Sequence, residues 1–115
     1  MVTDMLKEIS EEVRMEVRPN SKGSEYLEAV VKKSNLELLQ SILIRHLGSP
    51  GKGPGEEAHF SEEIRGVVDS LGGLRNEQSF FYRQEDNKVA YAVLWPWESD
   101  PDRITLKAGE SLLNR

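Results

Sequence analysis

The sequence predicts an α+β fold in which about three helices pack on one face of a small antiparallel sheet. Three segments within residues 1–71 place apolar residues three and four positions apart, which is helical spacing. Residues 79–83, 88–95 and 103–107 instead form short apolar and aromatic runs separated by polar turns, which is typical of strands. A chain of 115 residues with 37% apolar content can bury a single core. We therefore treat residues 1–115 as one domain.

The first segment predicts a helix over residues 4–12, with Thr3 available as the N-cap. Its apolar positions recur at helical spacing: Met5, Leu6, Ile9 and Val13. Apolar and charged residues then alternate over 13–18, up to Pro19. This alternation predicts a short strand with one charged face.

The second segment predicts helical structure between Ser24, a suitable N-cap, and Gly48, a suitable C-terminal cap. Its apolar stripe comprises Leu27, Val30, Val31, Leu38, Leu39, Ile42, Leu43 and Leu47. Residues 34–37 match a capping box, so the helix is expected either to continue through them or to break there into two.

A glycine- and proline-rich segment at 48–57 predicts a flexible loop between helical blocks, because four Gly and two Pro prevent regular structure. It resembles a phosphate-binding loop only at Gly51–Gly53, where Pro54 follows and the required Lys-Ser/Thr pair is absent. A third helix is predicted from Ser61, as N-cap, to Leu71, where Gly72 and Gly73 end it.

Residues 79–83 and 88–95 predict a β-hairpin around the polar turn 84–87, and 103–107 predicts a further strand. The second hairpin strand is apolar on both faces, as expected of a central strand covered on both sides. Ala90 and Ala92 would let a helix approach one face closely. The opposite face is aromatic and carries Val89, Tyr91, Val93 and Trp95, with Phe80 and Tyr82 on the partner strand.

The aromatic face supplies the candidate partner-binding residues: Tyr82, Tyr91, Trp95 and Trp97. Trp95 and Trp97 flank Pro96, which fixes their relative direction, and each indole offers a large apolar surface and one donor. Exposed, such residues are typical hot spots of protein interfaces. The alternative is that loops and the chain's last residues cover them as ordinary core.

Composition argues against several functions. The absence of Cys excludes disulfide scaffolds, thiolate-held metals and thiol catalysis. A net charge of −5 argues against nucleic-acid binding, and acidic residues cluster near Trp97. Residues 1–9 lack the basic region and the continuous apolar region of a signal peptide. The expected location is therefore the cytoplasm, with no membrane contact.

These observations favour a small non-enzymatic protein-interaction or regulatory module without cofactor, which binds a protein partner or itself as a homodimer. One alternative is a small-ligand or metal-binding domain using His46 and His59. Another is a winged-helix-like regulator. Residues 24–95 resemble the winged helix in element order, with 61–71 as recognition helix and 84–87 as wing tip, although both positions are acidic.

Overall fold

The computed structural model describes residues 2–22, 25–56 and 60–113, and in them an antiparallel sheet of five strands carries helices on both faces. The α+β class is thereby confirmed. The strand order is β1-β2-β5-β4-β3. The elements are α1 (Val2–Glu12), β1 (Met15–Val17), β2 (Tyr26–Lys32), a 3₁₀ turn (Lys33–Asn35), α2 (Leu36–Leu47), α3 (Glu62–Ser70), β3 (Ser79–Glu85), β4 (Lys88–Pro96) and β5 (Arg103–Leu112).

Strand β2 occupies residues for which the sequence predicts a helix, and this is the main correction to the predicted elements. It pairs with β1 on one side and along its whole length with β5 on the other. Leu27 and Val31 fit helical spacing, but Leu27, Ala29 and Val31 also alternate and are all buried. The β-branched residues Val30 and Val31 suit a strand, and pairing on both sides decides between the two patterns.

The strand β2 changes two predictions for this segment, the position at which the second helix begins and the element order of a winged helix. Ser24, the predicted cap, lies outside the described residues. The helix α2 begins only at Leu36, and the predicted capping box forms no side-chain cap there. Because 26–32 is a strand, the element order on which the winged-helix resemblance rests is not that of the structure.

The helices pack on both faces of the sheet, whereas the sequence predicts all of them on one face. Helices α1 and α2 pack over one face of the sheet, where Ala90, Ala92 and Leu94 of β4 belong to their cluster. Helix α3 packs on the opposite face against Val89 and Tyr91. The amphipathic stripe of α3 fixes which of its sides is buried but carries no information on which sheet face receives it.

The predicted hairpin is confirmed, with longer strands and a tighter turn. Glu85 pairs with Lys88, so the loop consists of Asp86 and Asn87. Asp86 adopts φ 54°, the left-handed conformation that two-residue hairpin turns need. The strand β5 continues to Leu112, through a segment whose low apolar content gave no prediction.

The glycine- and proline-rich segment is tied to β3 through Gly51 and Lys52, which both bond to Phe80. Phe80 donates to the carbonyl of Lys52 at 2.9 Å and accepts from Gly51 at 2.8 Å. The Lys52 side chain is 4% exposed. Its ammonium group donates to the carbonyls of Gly53, Asn76 and Gln78 at 3.1, 2.9 and 2.7 Å. Lys52 therefore joins this segment to the residues that precede β3.

Candidate functional site

Helix α3 covers part of the aromatic face that the sequence indicates as a binding surface. Tyr91 is 6% exposed and packs in the apolar cluster under α3 with Phe80, Val89 and Val93. Burial raises the pKa of the Tyr91 hydroxyl. Tyr91 thus contributes to the core, and it offers little area to a partner while α3 is in place.

Tyr82 lies at the border of the same cluster and is half-buried. Its ring stacks on Phe80 with centroids 5.5 Å apart and meets Phe60 in a T-shaped contact at 5.9 Å. A Cβ atom at Gly51 would lie 2.6 Å from the Tyr82 ring, so glycine allows this loop to cover the tyrosine. Tyr82 pairs with Tyr91, four residues before Trp95 on β4, roughly 13 Å at the usual strand rise. The structure does not bring Tyr82 to the two indoles.

Trp95 and Trp97 are brought together, beyond the part of the sheet that α3 covers. Both are half-buried, and neither belongs to the apolar cluster under α3. Thr105 of β5 pairs with Trp95 and accepts a hydrogen bond of 2.8 Å from Nε1 of Trp97. The Trp97 backbone amide donates to the carbonyl of Arg103 at 2.9 Å. The chain after β4 is thereby held so that Trp97 stays against β5.

Three cationic side chains surround these indoles. Arg75 and Lys107 lie 5.5 and 5.7 Å from the centroid of Trp95, and Arg103 lies 5.6 Å from that of Trp97. These are cation–π distances. The resulting patch, here named the indole surface, consists of Arg75, Trp95, Trp97, Arg103, Thr105 and Lys107. An open groove at its centre is lined by Arg75, Trp95, Trp97, Glu98, Ser99 and Thr105.

Comparisons of the chain with protein-family models, curated proteins and solved structures give no match. The chemistry of the indole surface must therefore be read from its own residues.

The three cations differ in how they are neutralised. Arg103 forms an ion pair with Asp100 at 3.1 Å. Among the described residues, no carboxylate oxygen forms an ion pair of this kind with Arg75 or Lys107. Trp95 is thus flanked by two positive charges that the described part of the chain leaves uncompensated, in a protein whose net charge is −5.

A carboxylate does lie opposite Lys107 in the sheet, but it is engaged elsewhere. Glu28 of β2 pairs with Lys107 in register. Its carboxylate accepts hydrogen bonds from the Tyr26 hydroxyl at 2.9 Å and from Asn20 at 3.4 Å. Burial, and then the bond to Glu28, raise the pKa of Tyr26, so this hydroxyl keeps its proton and remains a donor. The arrangement leaves Lys107 directed to Trp95.

The position of Arg75 depends on buried residues next to it in sequence. Gln78 is 3% exposed, and its side-chain oxygen accepts from the Arg75 amide at 2.8 Å. The Gln78 amide donates to the Arg75 carbonyl at 3.1 Å. The Gln78 carbonyl is in turn bound by the buried Lys52. Lys52 therefore supports the backbone that presents Arg75.

Sequence reasoning missed Arg75, Arg103, Thr105 and Lys107. A signal for three of them exists, because the alternation over 103–107 places Arg103, Thr105 and Lys107 on one face of a strand. That this face is the one bearing the tryptophans follows from the β4–β5 register, which spacing alone does not give. Arg75 has no periodic context, and its contact depends on the loop before β3.

His46, one of the two histidines considered for a metal site, contacts a carboxylate of α1. Nε2 of His46 lies 2.9 Å from Oε1 of Glu8, in an ion-pair cluster that joins α1 and α2 with Arg45. His59 lies outside the described residues. Within the described ranges, no three His, Asp or Glu side chains are grouped to hold a metal ion.

In those ranges, likewise, none of the helices has both the length and the apolar character needed to cross a bilayer.

Proposed function

We propose that this chain is a non-enzymatic protein-interaction module that binds another protein through the indole surface. The observation that carries the proposal is that two half-buried tryptophans lie on the sheet face beside α3, where Arg75 and Lys107 flank Trp95 and have no ion-pair partner among the described residues. Trp and Arg are the residue types most enriched among interface hot spots. Tyr82 and Tyr91, which pack in and beside the cluster under α3, are not part of this proposed surface.

A different protein is favoured over a second copy of this chain. In a twofold dimer the same patch meets itself, so Arg75 and Lys107 of both copies would be brought into one interface. Like charges brought together across an interface oppose association. A regulatory role as a homodimer therefore requires another surface, and we make the heterologous partner the proposal.

Selection from a library of random peptides displayed on phage tests this function directly. The immobilised wild-type chain should enrich peptides whose binding is lost with Trp97→Ala, because truncation removes the half-buried indole from the surface. Leu38→Ala serves as the matched control, since Leu38 is 44% exposed on α2, on the other face of the sheet. Circular dichroism of each variant verifies that the fold is intact. Enriched peptides that bind the Trp97→Ala variant as tightly as the wild type would refute the proposal.

Sedimentation equilibrium tests the second copy as occupant. We expect a monomer at micromolar concentration for both the wild type and Trp97→Ala. A dimer that dissociates on this substitution would assign the indole surface to self-association instead.

A further inference from the structure

We infer that the partner of the indole surface is an acidic protein segment, in which a carboxylate is placed beside an apolar or aromatic residue. This inference rests on the proposed function and adds the chemistry of the partner. It starts from Arg75 and Lys107, which flank one ring and have no ion-pair partner among the described residues.

The charge of the surface selects an anionic group. Arg75 is exposed, and its planar guanidinium can bind a carboxylate through two parallel hydrogen bonds. Lys107 is half-buried beside Trp95, where lower solvent exposure weakens screening of its charge. The carboxylate that could compensate Lys107, Glu28, already accepts from Tyr26 and Asn20.

The apolar part of the surface selects the neighbouring residue. Trp95 and Trp97 each leave part of a ring accessible, and Thr105 between them already accepts the Trp97 donor. A flat side chain laid against the indoles would bury apolar area without leaving that donor unpaired. A carboxylate and an apolar side chain close together in sequence could then contact the cations and the rings at once.

Single-stranded nucleic acid also combines negative charge with flat rings, but the surroundings disfavour it. Glu98 lines the groove, and Asp100 and Asp102 follow in the same loop. A polynucleotide carries a phosphate at every residue and would place some of them near these carboxylates. A protein segment can confine its negative charge to the positions that face Arg75 and Lys107.

The experiment uses the peptides enriched on the full-length wild-type chain. We expect these peptides to be rich in Asp and Glu next to aromatic or aliphatic residues. Arg75→Glu and Lys107→Glu should each weaken the binding of a fluorescein-labelled enriched peptide about tenfold or more in fluorescence anisotropy. Arg65→Glu and Lys7→Glu, which reverse exposed charges elsewhere, serve as matched controls. Replacing Glu by Gln in the peptide, or raising the salt concentration, should weaken binding in parallel.

The outcomes separate this inference from the proposed function. Enriched peptides that depend on Trp97 but lack acidic residues, or that bind both charge-reversal variants with unchanged affinity, would overturn the acidic partner and leave the protein-interaction module standing. Tighter binding of an oligothymidine strand than of any enriched peptide, again dependent on Arg75 and Lys107, would overturn both and assign the surface to nucleic acid. Selection of acidic peptides with the expected charge dependence supports both.

Discussion

The buried Lys52 gives the most direct test of how the glycine- and proline-rich loop is held. In Lys52→Met the apolar stem is retained and the ammonium group is removed, so the three hydrogen bonds to backbone carbonyls are lost. The carbonyls of Gly53 and Asn76 keep other donors, the amides of Glu56 and Gly55. Gln78 loses the shortest of the three bonds, 2.7 Å, to its carbonyl.

The expected cost follows from these contacts. Hydrogen bonds to a charged group contribute roughly 1.5–3 kcal/mol each, and an orphaned buried carbonyl costs about 1–3 kcal/mol. The mutation also removes the cost of burying the ammonium group, which offsets part of the loss. We expect Lys52→Met to lower the free energy of unfolding by about 3 kcal/mol, a large fraction of the marginal stability of a small domain. The melting temperature should fall by roughly 10 °C.

Urea denaturation followed by tryptophan fluorescence and by circular dichroism measures this change. Lys7→Met is the matched control, because Lys7 is exposed on α1 and its replacement should alter stability by less than about 0.5 kcal/mol. Lys52→Met should also bind the selected peptides more weakly than the wild type, since Lys52 supports the backbone beside Arg75. A loss of stability below about 1 kcal/mol for Lys52→Met would refute the view that this lysine secures the loop.

Three further predictions concern the rest of the fold. Gly109→Ala should destabilise the protein by about 1–3 kcal/mol in urea denaturation, because its Cβ would lie 3.1 Å from both Tyr26 and Tyr91. Gly66→Ala should instead stabilise the protein by about 1 kcal/mol, since nothing lies within 4 Å of a Cβ atom at this position and alanine favours the helix α3. Equal changes in stability for Gly109→Ala and Gly66→Ala would contradict the packing described. The hydrogen bond from His46, then Arg45, lowers the pKa of Glu8 below its ordinary value of 4.5. The ionised Glu8 carboxylate therefore stabilises the fold at pH values above 4.5, and this stabilisation is lost as the pH falls through the lowered pKa. The wild type should have a higher urea midpoint than Glu8→Gln at neutral pH, and the two midpoints should converge in acid.

The parts of the fold that the sequence predicts well are those whose signal is local. The hairpin follows from apolar and aromatic runs on both sides of a polar turn, and α3 follows from its stripe and from Ser61, whose side chain accepts from the Ile64 amide. The segment 26–32 was predicted wrongly because its apolar residues fit both helical and strand spacing. Its pairing with β5, far along the chain, is what decides, and a single sequence does not show that partner.

In the candidate site, too, the residues predicted from the sequence are those with a local signal. Trp95 and Trp97 were identified because two indoles around a proline are unusual in any context. The burial of Tyr91 depends on which sheet face receives α3, and the role of Arg75 depends on a loop secured by Lys52. Neither arrangement has a periodic signature, since both arise from packing between distant segments.

The bridge between Phe80 and the glycine- and proline-rich loop has a consequence for how this sheet can meet other chains. An outermost strand exposes unpaired amides and carbonyls, which invite further strands and aggregation. Here the loop pairs with the start of outermost strand β3, while the other outermost strand, β1, has three residues and precedes Pro19. The start of β3 and the short β1 are thus poor templates for strand addition. Under the proposed function, a partner would recognise side chains on the sheet face, which allows discrimination between partners that backbone pairing would not provide.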